Sequence, residues 1–159
     1  PNVIRLKNMT RSQPDLNHLR QLFPPTRLLP EEIDGCAPEL FDYRRDFGGR
    51  TWAEVTPDRY EAHIDAFCLM APATLKHYIA GFLHQSISRL ESNSCEFLVH
   101  FSGSDGFLSL YAELTADQAK FTISAIDWIL SLDDGFSDED RERYYKMRDL
   151  AVKRHVHGG

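Results

Sequence analysis

A histidine and a carboxylate that could form a catalytic pair stand two residues apart in the stretch AHIDAF, as His63 and Asp65. A carboxylate that holds one imidazole nitrogen orients the ring, and the other nitrogen can then act as a general base. His100 or Asp105 would supply a further group if the fold brought them near. The pattern would suit a small hydrolase, which we keep as an alternative hypothesis. A chain with seven histidines also places some of them beside carboxylates by chance.

Metal binding is the second chemistry that the histidines could support. His77 and His84 are seven residues apart in the stretch LMAPATLKHYIAGFLHQSI, which on a helix separates them by about 10.5 Å. Two ligands of one metal on a helix need a spacing of three or four residues. The cysteines Cys36, Cys68 and Cys95 are odd in number and have no C-x-x-C spacing, so they indicate neither a zinc site nor a disulfide framework. We therefore predict no metal site and no cofactor, and we expect both histidines to be exposed.

The familiar motifs of enzyme catalysis are missing from the sequence. It has no G-x-S-x-G nucleophile elbow and no S-x-x-K motif with its companions. Gly48-Gly49 and the stretch SGSDG carry glycine, but they lack the spacing of a P-loop or of a dinucleotide fingerprint. These observations favour a protein that binds rather than catalyses, and we predict no catalytic residues.

The charge of the chain indicates the kind of partner. Its 24 acidic and 18 basic side chains give a net charge of −6, which argues against nucleic acid because phosphate binding needs clustered lysine and arginine. No apolar run approaches the roughly 18 residues of a membrane span and no basic-then-apolar leader opens the sequence, so we predict neither a membrane partner nor secretion. Acidic residues gather in two clusters, which we predict to contact a basic protein partner: Glu31, Glu32 and Asp34, and then Asp133, Asp134, Asp138 and Glu139.

A further candidate surface is the stretch DYRRDFGGRTW, where arginines alternate with aromatic side chains. Arginine and aromatic residues are enriched at the anchors of protein interfaces. We therefore predict that Arg44, Arg45 and Trp52 contact the partner. The alternative is that Trp52 and Phe47 fill the end of the core and leave the arginines in solvent.

Six helices are expected to position these residues. Apolar spacing, capping residues and prolines place them at about 15–23, 38–47, 57–67, 72–90, 116–130 and 137–155. The fourth begins at Pro72, and the fifth opens with a capping box at Thr115 and Gln118. Residues 107–114 are expected to form one or two helical turns. Residues 95–101 alternate imperfectly, so a short strand and an irregular buried segment both remain open.

The predicted fold class is therefore mainly α, a single-domain helical bundle of about five to six helices with room for one short strand or hairpin. A chain of 159 residues is the size of one ordinary domain. We assign residues 1–159 to it, with 1–10 and 155–159 as flexible ends. The widely apolar helix at 116–130 is expected in the middle of the fold, with a narrow polar stripe formed by Asp117, Lys120, Ser124, Asp127 and Ser131.

Three parts of the sequence together resemble a known pattern. They are Trp52, PATLKHYIAGFL from Pro72 to Leu83, and LTADQAKFTISAIDWIL from Leu114 to Leu130. The arrangement resembles a family of small uncharacterised bacterial proteins, in which a tryptophan precedes P-x-A-x-x-Y-x-x-x-F-L and a later Leu-Thr/Ser-x-x-Gln opens a helix. Here Ala73 follows the proline, and His77-Tyr78 stands where two aromatic residues are commoner. That family is a domain of unknown function, so the resemblance implies no activity and no functional residues.

By type, small acidic bacterial domains without catalytic motifs resemble the immunity proteins that neutralise interbacterial toxins. We therefore predict a cytoplasmic, non-enzymatic protein-binding domain. Its most specific form is an immunity or antitoxin-like inhibitor, whose acidic surface blocks a cognate toxin by complementary charge. A regulatory adaptor is a further alternative.

Overall fold

The computed structural model describes residues 11–132 and 135–157, and these residues form nine α-helices, one short 3₁₀ helix and no β-strand. In chain order the elements are α1 (Leu16–Leu22), the 3₁₀ helix (Pro30–Glu32), α2 (Glu39–Phe47), α3 (Pro57–Ala62), α4 (Ala66–Leu69), α5 (Pro72–Ser88), α6 (Asn93–Ser102), α7 (Asp105–Glu113), α8 (Ala116–Leu132) and α9 (Asp138–His157). Gly35 and Met70 form an isolated antiparallel bridge. The predicted mainly α, single-domain class is confirmed.

Helix α5 forms the centre of the fold. It packs against α1, α3, α6, α7 and α8, and 11 of its 17 residues are buried. Pro72 occupies its first turn as predicted, where the missing amide loses no hydrogen bond. The prediction that 116–130 would take the central place is wrong, because α8 packs on fewer neighbours, namely α1, α5 and α9.

The described residues contain nine α-helices instead of five or six, partly because residues 57–67 do not form one helix. Helix α3 ends at Ala62 and α4 begins at Ala66. The linker between them contains His63, which pairs with Asp46, and Asp65, which accepts a hydrogen bond from Tyr43. Both contacts are made to α2, so the interruption between α3 and α4 coincides with side-chain contacts to another helix.

Residues 93–102 form helix α6, so neither the short strand nor the irregular buried segment that the sequence left open is observed. Ser92 caps this helix by accepting a hydrogen bond from the Cys95 amide at 3.2 Å, as serine does before many helices. The buried positions Cys95, Leu98, Val99 and Ser102 follow the spacing of one helical face. Phe97, which had suggested alternation, is 41% exposed. Helix α7 follows at once with nine residues, longer than the one or two turns expected.

Local capping fixes the start of α8 as the sequence predicts. The Thr115 amide donates to Gln118 Oε1 at 3.0 Å, and the Gln118 amide donates to Thr115 Oγ1 at 3.2 Å, which completes a capping box. The start of α9 has the same arrangement between Ser137 and Asp140, at 3.2 and 3.1 Å. Both helix starts are therefore encoded within four residues of sequence.

Asp127 departs from the predicted polar stripe of α8, because it is only 8% exposed. Its Oδ1 accepts a hydrogen bond from the Tyr144 hydroxyl at 2.6 Å and another from Arg148 at 3.2 Å, and its Oδ2 pairs with Arg11. These contacts join α8 to α9. Burial and the neighbouring Asp127 carboxylate raise the pKa of Tyr144 far above its usual value.

Residues 1–10 and 155–159 were predicted to be flexible ends of the chain. Helix α9 instead continues to His157. His155 is half-buried, with its ring 5.3 Å from that of Tyr111 and its Nε2 at 3.1 Å from the Leu114 carbonyl, so tertiary contacts extend the helix. Residues 1–10 and 158–159 lie outside the described residues.

Candidate functional site

The first predicted acidic cluster lies on the surface, on and just after the 3₁₀ helix. Glu31, Glu32 and Asp34 are all exposed. Glu32 accepts a hydrogen bond from the Leu29 amide at 3.1 Å, and Asp34 accepts one from the Gly35 amide at 2.9 Å. Two of the three carboxylates thus support the local backbone, while their negative charge faces solvent.

These three carboxylates have no ion-pair partner within residues 11–132 and 135–157. Around them, residues 28–43 contain five acidic side chains and no lysine or arginine, and we call this range the acidic segment. Some carboxylates elsewhere are paired: Glu54, for example, accepts two hydrogen bonds from Arg27 at 2.8 and 3.1 Å. The acidic segment therefore concentrates negative charge, and the three of its five carboxylates that form the first cluster have no ion pair within the described residues.

The two predicted arginines lie at the end of the acidic segment and serve the fold. Arg44 donates from Nε to the Ile33 carbonyl at 3.2 Å, which ties the chain after the 3₁₀ helix to α2. Arg45 donates to both carboxylate oxygens of Asp46 at 3.0 Å, and it lies 3.2 Å from Asp42. The Arg45 hydrogen bond lowers the pKa of Asp46 well below its usual range. Arg45 remains exposed, so its contact with a partner stays a prediction.

Trp52 is buried at 4% exposure, so the structure does not present it as a surface anchor. Its indole Nε1 donates to the Phe23 carbonyl at 2.8 Å, and the Arg20 guanidinium lies 5.5 Å from the centre of its ring. Phe47, Tyr43 and the Trp52 ring all belong to the core. The alternative given by the sequence, that these aromatic residues fill the core, is the one observed.

The exposed aromatic residue of this region is Phe41, which sequence reasoning missed. It is 72% exposed, the highest value among the large hydrophobic residues whose exposure the structure describes. Leu29, at the start of the 3₁₀ helix, is 53% exposed. Helical spacing offered a signal, because Tyr43 and Phe47 are four residues apart on the buried face of α2. Around a helix of 3.6 residues per turn, Phe41 lies about 160° from Tyr43 and about 120° from Phe47.

The second predicted acidic cluster is described only in part, because Asp133 and Asp134 lie outside the described residues. Asp138 and Glu139 are exposed in the first turn of α9. Carboxylates at this position interact favourably with the helix dipole, and Glu139 also forms an ion pair with Arg143. The fold thus supplies a structural reason for these two carboxylates. Its contact with a partner stays a prediction.

No protein-family model, curated protein or solved structure matches this chain. The resemblance to a domain of unknown function therefore stays a prediction.

His63 does not pair with Asp65, as the hydrolase hypothesis requires. Its Nε2 lies 2.6 Å from Asp46 Oδ2, and Asp65 accepts a hydrogen bond from the Tyr43 hydroxyl at 2.8 Å. The His63 ring is 9% exposed, and the rings of Tyr43 and Phe47 each lie 5.5 Å from it. The pair of His63 and Asp46 therefore joins α2 to the linker that follows α3.

His77 and His84 are half-buried, and the prediction that both are exposed is wrong, because neighbours surround α5 on most sides. His77 Nδ1 lies 3.3 Å from the Thr26 hydroxyl, and the His84 ring centre lies 6.3 Å from that of Trp52. Burial is the main cause that lowers the pKa of both histidines. Both are therefore held neutral in the folded protein.

This burial predicts a loss of stability on mild acidification. The unfolded chain titrates its histidines near pH 6.5, whereas folded His77 and His84 take up protons only at a lower pH. Below about pH 6.5 the unfolded state therefore binds more protons, and the free energy of unfolding falls as the pH decreases towards the folded pKa values. In the double variant H77Q/H84Q, the melting temperature measured by differential scanning calorimetry should fall less steeply between pH 7.5 and 5.0 than in the parent. If the melting temperature of the variant falls as steeply as that of the parent, the two histidines do not cause the loss of stability.

Within residues 11–132 and 135–157, no group of three or more histidine, cysteine, aspartate or glutamate side chains is arranged to hold a metal ion. In the same ranges, no helix has both the length and the apolar character needed to cross a bilayer.

Proposed function

We propose that this chain is a non-enzymatic binding protein that meets a basic protein partner with its acidic segment. The observation that carries the proposal is the five carboxylates, with no lysine or arginine, over residues 28–43. Charges of one sign attract an oppositely charged surface across roughly one screening length, about 8 Å at physiological salt. Such attraction raises the association rate and the specificity of binding more than it raises raw affinity.

The backbone hydrogen bonds of Glu32 and Asp34 do not require a negative charge, which is a further support. The hydrogen bonds of Glu32 and Asp34 to backbone amides need an acceptor oxygen, which an amide side chain also supplies. Carboxylates close together repel one another, so the cluster opposes folding slightly. A cluster of mutually repelling charges that the local hydrogen bonds do not require is typical of a binding surface.

The most specific form of the proposal is an immunity or antitoxin-like inhibitor that acts in a bacterial cytoplasm. Such an inhibitor would lay its acidic segment over the basic cleft of a toxin and exclude the toxin's substrate. A regulatory adaptor would use the same surface without blocking an active site. The two differ in one measurable property, namely whether the partner loses its activity in the complex.

The hydrolase hypothesis receives no comparable support from the described residues. The His63 ring is almost entirely covered by α2, and its nearest carboxylate is already engaged by Arg45. A general base must come within about 3.2 Å of the proton that it removes. We therefore propose a structural role for the pair formed by His63 and Asp46.

Removing the charge of the acidic segment should impair binding and leave the fold intact. In the variant E31Q/E32Q/D34N the shapes and acceptor oxygens are kept, so we expect an unchanged melting temperature. Inhibitors of this kind are encoded beside their toxins, so the partner to test is the protein encoded by the neighbouring gene. The rate of association with that protein should fall by about tenfold and lose much of its salt dependence. Surface plasmon resonance at several salt concentrations, together with survival of cells that express the partner, measures both effects.

The variant E91Q/E142Q/D149N is a matched control, since it removes three charges from exposed positions elsewhere on the surface. It should bind and protect nearly as the parent does. Equal losses in the two variants would show that only net charge matters, and would reject the acidic segment as the binding surface. Failure of the parent to bind or protect would reject the inhibitor itself.

A further inference from the structure

An exposed apolar projection lies inside the acidic segment. Cys36, Ala37 and Pro38 are consecutive exposed residues, and Phe41 follows in the first turn of α2 with 72% of its surface exposed. We call these four residues the apolar knob. Single exposed hydrophobic residues are common on protein surfaces, whereas contiguous ones rimmed by polar groups mark interaction sites.

The backbone of the apolar knob is held on both sides. The Cys36 amide donates to the Leu69 carbonyl at 2.8 Å, and the Leu40 amide donates to the Cys36 carbonyl at 3.2 Å. The preceding residue, Gly35, forms the bridge to Met70. On the opposite side of α2, Tyr43 is fully buried. Phe41 therefore projects from an anchored element, and binding through it would need little ordering of the chain.

Carboxylates border the apolar knob in sequence on both sides. Asp34 precedes it, Glu39 lies between its members Pro38 and Phe41, and Asp42 follows it. The nearest cation along the chain that pairs with this border is Arg45, which contacts Asp42 at 3.2 Å. An apolar centre with an acidic border is the complement of an apolar pocket bordered by lysine or arginine.

We infer that Phe41 is the anchor of the binding surface, and that it inserts into an apolar pocket bordered by lysine or arginine on the partner protein. This inference rests on the proposed function only for the class of partner, a protein. Aromatic anchors in well-packed pockets carry a large share of the binding energy at many interfaces. Nucleic acid and anionic membranes would be repelled by the surrounding carboxylates, so neither is the expected occupant.

In the test, the full chain carries the photo-crosslinking residue p-benzoylphenylalanine in place of Phe41. This variant is expressed in cells of the organism that encodes the protein. The matched control carries the same residue at Phe97, the exposed aromatic residue of α6. We expect a crosslink from position 41 and not from 97, mapped by mass spectrometry to a partner surface that contains lysine or arginine. Crosslinks of equal yield from both positions, or from neither, would overturn the inference.

Binding of the crosslinked partner by simple variants supplies the second measurement. F41S should weaken affinity by roughly tenfold or more, with no loss of thermal stability because the ring is largely in solvent, whereas F97S should change affinity less than about twofold. An unchanged affinity of F41S for the partner overturns the inference. Sedimentation of the parent with phosphatidylserine vesicles also overturns it if the F41S variant does not sediment with them.

The outcomes separate this inference from the proposed inhibitor function. If E31Q/E32Q/D34N abolishes protection while F41S protects fully, the inhibitor function stands and the anchor is wrong. If position 41 crosslinks to a basic protein that has no toxic activity, the anchor stands and the inhibitor function is wrong.

Discussion

Replacing Gly81 with alanine is expected to destabilise the protein by about 2–3 kcal/mol, although the same change stabilises an exposed helix by about 1 kcal/mol. Gly81 lies in the middle of α5 and is buried. A Cβ atom there would overlap the Oη and Cζ atoms of Tyr60. The Tyr60 hydroxyl donates to the Trp52 carbonyl, and its ring packs against those of Phe47 and Phe82, with centres 5.8 and 4.8 Å away. Because these contacts hold the ring, the strain cannot be relieved cheaply.

Urea denaturation of the G81A variant measures this effect, and a double-mutant cycle with Y60A assigns it to the named contact. In the Y60A background the ring is gone, so G81A should cost little or even stabilise the helix. A G81A protein as stable as the parent would show that the Tyr60 ring can shift without loss. A cost that persists in the Y60A background would place the strain elsewhere.

Replacing Asp127 with alanine is expected to cost about 3–4 kcal/mol, since breaking one side of a buried ion pair usually costs about 3–5 kcal/mol. The change leaves the fully buried Tyr144 with only the Ile123 carbonyl as an acceptor, at 3.3 Å. It also leaves Arg148, whose side chain is 27% exposed, without its main carboxylate. Water can reach part of that guanidinium, so we place the cost in the lower half of the range. The asparagine variant keeps an acceptor for Tyr144 and should lose less.

The free energy of unfolding from urea titration, compared among the D127A, D127N and E139Q variants, tests this prediction. Glu139 also pairs with an arginine, but both side chains are exposed, at 71% and 63%. Exposed pairs contribute about 0–1 kcal/mol, so E139Q should be nearly neutral. Similar losses in D127A and E139Q would mean that Asp127 does not join α8 to α9 as its contacts indicate.

Much of the helical framework could be predicted from local signals. Pro72 begins α5, and the capping boxes at Thr115 and at Ser137 begin α8 and α9. Each signal depends on atoms within about four residues of one another, so the surrounding fold has little opportunity to change it. Helix α6 was not predicted because its start is marked by a single serine and because its apolar residues fit both helical spacing and strand alternation.

The candidate site could be predicted only in its charge. Glu31, Glu32 and Asp34 are exposed as expected, because three carboxylates within four residues are rarely buried. Trp52 was predicted at the partner surface but is buried, and the exposed Phe41 was not predicted, since an aromatic side chain is equally suited to a core and to an interface. The choice depends on which face of α2 meets the rest of the molecule, and no local pattern in the sequence states it unambiguously.

By itself, the sequence of this protein determined the helical class, several helix starts and a segment of five carboxylates with no lysine or arginine. These properties follow from interactions between near neighbours or from composition. The tertiary structure alone decided that Asp127 is buried beside Tyr144, that His63 pairs with Asp46, and that Gly81 accommodates the Tyr60 ring. Each of these contacts joins residues 17 to 21 positions apart. Their formation depends on how whole helices pack, which hydrophobic burial drives without specifying individual partners.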